Sequence, residues 1–193
     1  MTVHRVTLSV ESVEDYFETV LPTGFRWERN QGPPPGGRPR SPAVVWSPIL
    51  LELMEVLEDV TLYPPARDLS REVGYHAGLE SAVALDRARN PQFPRTEILL
   101  AMPPILAGTG FGTSELTYDD ERQQLGWTFR EGTVIARGAQ GNGVRKKPIC
   151  AFFEGLGAGW VRGSLGANLR IAETDCLGRG DDACRFRSWL LPG

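Results

Sequence analysis

From Pro48 onward the apolar positions fall at helical spacing. Ile49, Leu50, Leu53, Met54, Val56 and Leu57 form one stripe, and Leu69, Val73, Ala77 and Leu79 continue it after the Pro64-Pro65 break. The pattern predicts two packed helices. Gly74 and Gly78 stand four apart, so one helical face lacks two side chains and permits another backbone to approach closely. The stretch "FPRTEILLAMPPILAGTGFG" is apolar almost all round, which predicts a buried helix over 96–107, kinked or interrupted by Pro103 and Pro104.

The period then changes to two. "TSELTYDDERQQLGWTFREGTVI" contains two alternating runs about a polar turn, a hairpin signal that puts Trp127 and Phe129 on one face. "RGAQGNGVRKKP" reads as a loop. "ICAFFEGLGAGWVRGSLG" reads as a helix spaced by Gly155, Gly159 and Gly163, and "NLRIAETDC" and "ACRFRSWL" as two strands joined by "LGRGDD". Helices followed by strand, strand, helix, strand, strand is the layout of an α+β domain, with N-terminal helices packed on a small antiparallel sheet. Before Pro48, "VHRVTLSV" is a strand candidate leading to the amphipathic stretch "SVEDYFETVL", capped by Ser12 with Asp15 at the capping-box position. Residues 29–42, dense in Pro and Gly, form an exposed loop.

Composition narrows the function classes. With 193 residues the chain can build one domain with a real apolar core. Its 21 Lys and Arg nearly balance 24 Asp and Glu, so nothing draws it generally to phosphate or acidic membranes, and nucleic acid is not an expected partner. Charges interrupt every apolar run at the start, leaving neither a signal-peptide core nor a membrane span. The expectation is a cytoplasmic protein.

The 3 cysteines are an odd number, and in a reducing compartment they point to metal binding or redox work rather than disulfides. Cys150 opens the last helix, Glu173 and Cys176 end a strand, and Cys184 begins the next strand after a glycine-rich turn. If the strands pair, three thiolates and a carboxylate could complete a tetrahedral zinc shell. Three unconnected core cysteines are the alternative on spacing alone. A redox pair has less support, since no closely spaced thiol pair is present.

The stretch from Pro148, "PICAFFEGLGAGWVRGSLGANLRIAETDCLGRGDDACRFRSW", resembles the C-terminal half of the 4-vinyl reductase domain, also called a hydrocarbon-binding domain. "EVGYHAG" and the helix-to-hairpin junction "AGTGFGTSELTYDDERQQLGWTF" are similar to it as well. The resemblance divides the chain into a 1–43 extension carrying the Pro/Gly-rich loop and a 44–193 ligand-binding domain. It implies a structural Zn2+ held by Cys150, Glu173, Cys176 and Cys184, a homodimer, and a pocket between helices and sheet. Candidate lining residues are Met102, Ile105, Leu106, Phe111, Trp127, Phe129, Phe152, Phe153 and Trp160. Aromatic-responsive transcription activators, proteins associated with bacteriochlorophyll synthesis and vesicle-tethering subunits all contain relatives of this domain. Phenol sensors among them fix the phenol hydroxyl with a histidine on the helix before the hairpin, and "ILLAMPPILAG" has none. His4 and His76 lie elsewhere; a lone helical histidine such as His76 is by default a surface residue.

Catalysis finds little support. No Gly-x-Gly-x-x-Gly follows a strand, no Walker loop is present, and Asp119, Asp120, Asp181 and Asp182 fall in polar turns where a solvated surface is the default. A zinc ion with four protein ligands has no open position for a water. The leading expectation is a zinc-stapled module that binds a small hydrophobic or aromatic molecule and signals or delivers to a protein partner, since no ATPase or DNA-binding region is read in the chain. The alternatives are a non-catalytic assembly subunit like the vesicle-tethering relatives, or an accessory protein of tetrapyrrole metabolism.

Overall fold

The computed structural model describes residues 3–6, 56, 63–89, 91–92, 94–109, 111–139 and 147–190. The amphipathic stretch after the first strand, loop 29–42 and all but Val56 of the helix expected from Pro48 lie outside them.

Five strands make one sheet: β1 (Val3–Val6), β2 (Glu115–Asp119), β3 (Gln124–Phe129), β4 (Leu169–Asp175) and β5 (Cys184–Leu190). Their order is β1-β2-β3-β5-β4, and every neighbouring pair is antiparallel. The β2–β3 hairpin turns through residues 120–123, where Asp119 accepts the N–H groups of Glu121 and Arg122 and Gln123 takes the left-handed conformation. The last hairpin lays β5 against β3 and leaves β4 at the edge. Along β3, Leu125, Trp127 and Phe129 point inward as the alternation predicts.

The helices are α1 (Tyr63–Ala88), α2 (Thr96–Leu100), α3 (Met102–Gly108), α4 (Val134–Ala139) and α5 (Ala151–Leu165). An α+β architecture is therefore present. The expected single helix over 96–107 is two: Pro103 and Pro104 occupy the first turn of α3, where their missing N–H groups cost nothing, and Ala101 separates the pieces. Both pieces are buried nearly all round. The second alternating run ends sooner than expected, because "VIARGA" turns helical as α4. That helix starts at Thr133, whose hydroxyl accepts the N–H of Ala136.

The packing of α1 corrects the sequence pattern. Leu69 and Val73 were expected on its packed face, yet they are 47% and 50% exposed. The buried face is instead Ala66, Ser70, Gly74, Gly78 and Ala82, set four apart against Gly155, Gly159 and Gly163 of α5. A Cβ on Gly74 would sit 2.0 Å from the carbonyl oxygen of Phe152, and one on Gly155 would sit 1.8 Å from that of Arg71. Two backbones in contact gain dispersion along their whole length. Large residues cannot enter that seam and are turned outward. No helix among the described residues is long and apolar enough to cross a membrane.

Candidate functional site

Cys150, Glu173, Cys176 and Cys184 come together as a buried cluster whose ligand atoms all lie within 4.8 Å of one another. Cys150 is the N-cap of α5, Glu173 lies on the inner face of β4, Cys176 follows that strand, and Cys184 opens β5. The Cys150 sulfur is 4.0 Å from that of Cys176 and 3.9 Å from that of Cys184. A tetrahedral ion with metal–sulfur bonds of about 2.3 Å sets its sulfurs about 3.8 Å apart. All three cysteines are free thiols. The spacing fits thiolate ligation of a metal ion.

The carboxylate agrees with that fit. Its Oε2 accepts the backbone N–H of Cys150 at 3.2 Å, while Oε1 is buried with no hydrogen-bond partner. An orphaned acceptor beside three sulfurs is what a metal-ligating oxygen looks like without its ion. Surrounding groups hold the other ligands: Leu177 N–H donates to the Cys184 sulfur at 3.3 Å, and the Thr133 hydroxyl lies 3.1 Å from the Cys150 sulfur. Asp181 Oδ2 accepts the Cys176 N–H at 2.7 Å and two bonds from Arg179. Asp181, read from sequence as solvated surface, thus braces the loop between two ligands.

Titration without an ion is uneven across the cluster. Burial, then the neighbouring Cys176 charge, pushes the Glu173 carboxyl up to about 8. Burial, then hydrogen bonding with Cys176, holds the Cys150 thiol well above its ordinary range. Cys184 goes the other way, to about 4, because Cys150 and Cys176 hydrogen-bond to its sulfur. A divalent cation overrides this by favouring the deprotonated form of every donor.

Beside the cluster stands an aromatic one. Trp127 and Phe129 have ring centroids 4.8 Å apart, Phe129 and Phe153 5.2 Å, and Phe152 and Phe153 5.5 Å; Phe111 stacks on Phe152 at 6.2 Å. Met102 and Leu106 are buried in the same core, with Ile105 packed at its border. Phe186, absent from the sequence reading, joins at 5.3 Å from Trp127; its alternation in "CRFRSW" was the available signal. Trp160 is also buried, but its indole N–H donates to the Ile98 carbonyl at 2.7 Å and ties α2 to α5. The Trp127 indole Nε1 is buried and has no acceptor. His76 sits on the exposed side of α1, 3.1 Å from Glu72. A groove of about 590 Å³ lies on the sheet between Glu115, Thr117, Thr128 and Arg187 and does not involve α2 or α3.

A helical layer on an antiparallel sheet, with a Cys₃Glu cluster where the last helix meets the last hairpin, defines a small domain of the type read from the sequence. The family match is to the 4-vinyl reductase domain, over residues 139–188, a segment that contains all four cluster residues. Among solved structures, the chain is similar to the phenol-responsive sensory domain of the transcription activator PoxR with phenol, at 18% identity and TM-score 0.67, covering 92% of this chain and 88% of that one. It is also similar to a trafficking protein particle complex subunit 3 from Naegleria fowleri covalently bound to palmitic acid, at 13% identity and TM-score 0.52, covering 77% and 97%. A vinyl-4-reductase family protein from Methanocaldococcus jannaschii matches more loosely, at 14% identity and TM-score 0.44 over 95% and 92%. No curated protein matches by sequence.

Proposed function

We propose that the chain is a small-molecule sensor module that encloses an apolar or aromatic ligand against β3 and α5, and that a structural zinc ion holds the walls of that site together. The observation that carries the ligand reading is the Trp127 indole. A buried N–H without an acceptor is costly, and native interiors rarely tolerate one. An aromatic ligand with one acceptor atom, such as a hydroxyl or carbonyl oxygen, would satisfy it while its apolar part meets Phe129, Phe153 and Phe186. The likeness to a phenol-responsive domain supports an aromatic ligand. Since 96–108 holds no histidine, Trp127 supplies the polar contact in this reading.

Zinc is proposed over harder cations because three sulfur donors dominate the shell. Bound there, it would link α5, β4 and β5 with no open coordination position, so its contribution is to folding and the module is non-catalytic. A reducing compartment such as the cytoplasm suits three unpaired thiols. We read the active form as a homodimer that passes ligand occupancy to a partner protein. Elemental analysis with native mass spectrometry of the purified protein tests the reading: stoichiometric zinc with an added small-molecule mass supports it, and zinc-free protein that binds no aromatic probe overturns it.

A second reading, a non-catalytic assembly subunit, is favoured by the likeness to the trafficking-particle subunit and by Leu69 and Val73, which α1 turns outward. In that case the protein would carry zinc but no small molecule, and its surface would do the work.

A further inference from the structure

Glu154 lies one turn into α5, the single charge in the run from Ile149 to Val161, and its side chain is completely buried. A carboxylate so placed must be neutralised and have its oxygens filled with donors. Arg67 Nη2 donates to Oε1 at 2.5 Å, and Arg71 donates to Oε2 twice, from Nε at 3.0 Å and Nη2 at 2.8 Å. Both arginines come from α1. The remaining donor is the backbone N–H of Glu173, 2.9 Å from Oε1.

That last bond is the informative one. β4 is an edge strand, so a peptide N–H turned away from β5 has no strand to receive it. Glu154 receives it at Glu173 itself, next to the register irregularity between Glu173 and Asp175, where the ladder to β5 is least able to fix the backbone. The contacts close a ring: Cys150 N–H to Glu173 Oε2, Glu173 N–H to Glu154 Oε1, and Glu154 N–H to the Cys150 carbonyl at 3.3 Å. An ion pair serving stability alone would not need to reach β4, and apolar side chains of similar volume serve that end as well.

We propose that Glu154, anchored by Arg67 and Arg71, is a positioning residue of the metal centre, setting the Glu173 peptide so that its carboxylate meets the three thiolates. The proposal rests on the reading of the Cys₃Glu cluster as a metal site. It makes α1, which contributes no ligand, the base against which that site is aligned. Residues behind metal ligands orient them, and losing such a residue costs about 10- to 100-fold in affinity.

Cobalt(II) is the probe, because its visible bands report ligand geometry; affinity is read by chelator competition on the full chain. Glu154→Leu removes both the charge and the acceptor, whereas Glu154→Gln removes the charge and keeps an acceptor for Glu173 N–H. Both variants are expected to melt lower, as two arginines lose their partner. Cobalt affinity is expected to fall about 10- to 100-fold, with shifted bands, in Glu154→Leu only, and to stay within about threefold of wild type in Glu154→Gln. Should Glu154→Leu not fold, Arg71→Met replaces it, with an expected loss of about tenfold. Unchanged affinity and spectrum in these variants, or equal losses in both Glu154 variants that follow their melting temperatures, overturns the assignment. Wild type that takes up no cobalt overturns the metal reading beneath it.

Discussion

Phe129 and Cys184 are direct partners across β3 and β5. Further along the same pair of strands Trp127 is the partner of Phe186, and Phe186 in turn faces Glu173 on β4. The aromatic cluster and the thiolate cluster therefore share one face of three hydrogen-bonded strands. A change in one can be felt by the other through backbone that both occupy, which gives ligand occupancy and metal a common frame.

Removing a thiolate should show the metal's share of stability. Cys176→Ser and Cys184→Ser are each expected to lose stoichiometric zinc and at least about 3 kcal/mol, roughly 6–12 °C in melting temperature for a chain of this size. Elemental analysis and calorimetry check this. Unchanged metal content and melting in both variants would remove zinc from the account.

Trp127→Phe keeps the ring packing and deletes the orphaned N–H. It is expected to weaken an acceptor-bearing aromatic ligand by about 1 kcal/mol, roughly fivefold, while leaving zinc content intact. Trp127→Ala should cost more, because the ring itself packs on Phe129, Phe153 and Phe186. Titration calorimetry with phenol-like probes separates the two.

Zinc uptake should release protons. At pH 7 the metal-free cluster keeps a proton on Glu173, whose carboxyl is pushed up to about 8, and one on the Cys150 thiol. Metal binding displaces both, so affinity falls as pH falls. The share from Glu173 fades as pH rises through about 8, where the empty site has already lost that proton. Calorimetry in buffers of different ionisation enthalpy counts the protons, and a pH-independent affinity between 6 and 8 on the order of the wild-type value would contradict the assignment.

The seam between α1 and α5 predicts a sharp contrast. Gly155→Ala would drive a methyl group to 1.8 Å from the Arg71 carbonyl, and is expected to cost about 3 kcal/mol or more because backbone must move. Leu69→Ser and Val73→Ser, on the outer side of the same helix, should each cost less than about 0.5 kcal/mol to the folded chain. Thermal melts test both, and light scattering on the outer pair tests whether that side joins copies.

The local chemistry of this chain was legible in its residues. The alternation about residues 120–123 carried the hairpin, the proline pair carried the break between α2 and α3, and the glycines four apart carried the close helix contact, because each depends on backbone geometry within a few residues. The three cysteines and Glu173 were readable as a set from their places at element ends and from the resemblance of their spacing to a known pattern. Tertiary structure alone decided the face of α1, the strand order and the partners of buried charge. Leu69 and Val73 obey a helical period yet lose the interior to smaller residues, since the seam is set by α5 and not by their own hydrophobicity. Glu154 looked like one charge in an apolar helix until Arg67, Arg71 and the Glu173 peptide, 83 to 87 positions upstream for the arginines and 19 downstream for the peptide, closed around it. Burial makes such long-range partners decisive: in water that carboxylate needs none of them, and inside the protein it cannot stand without all of them.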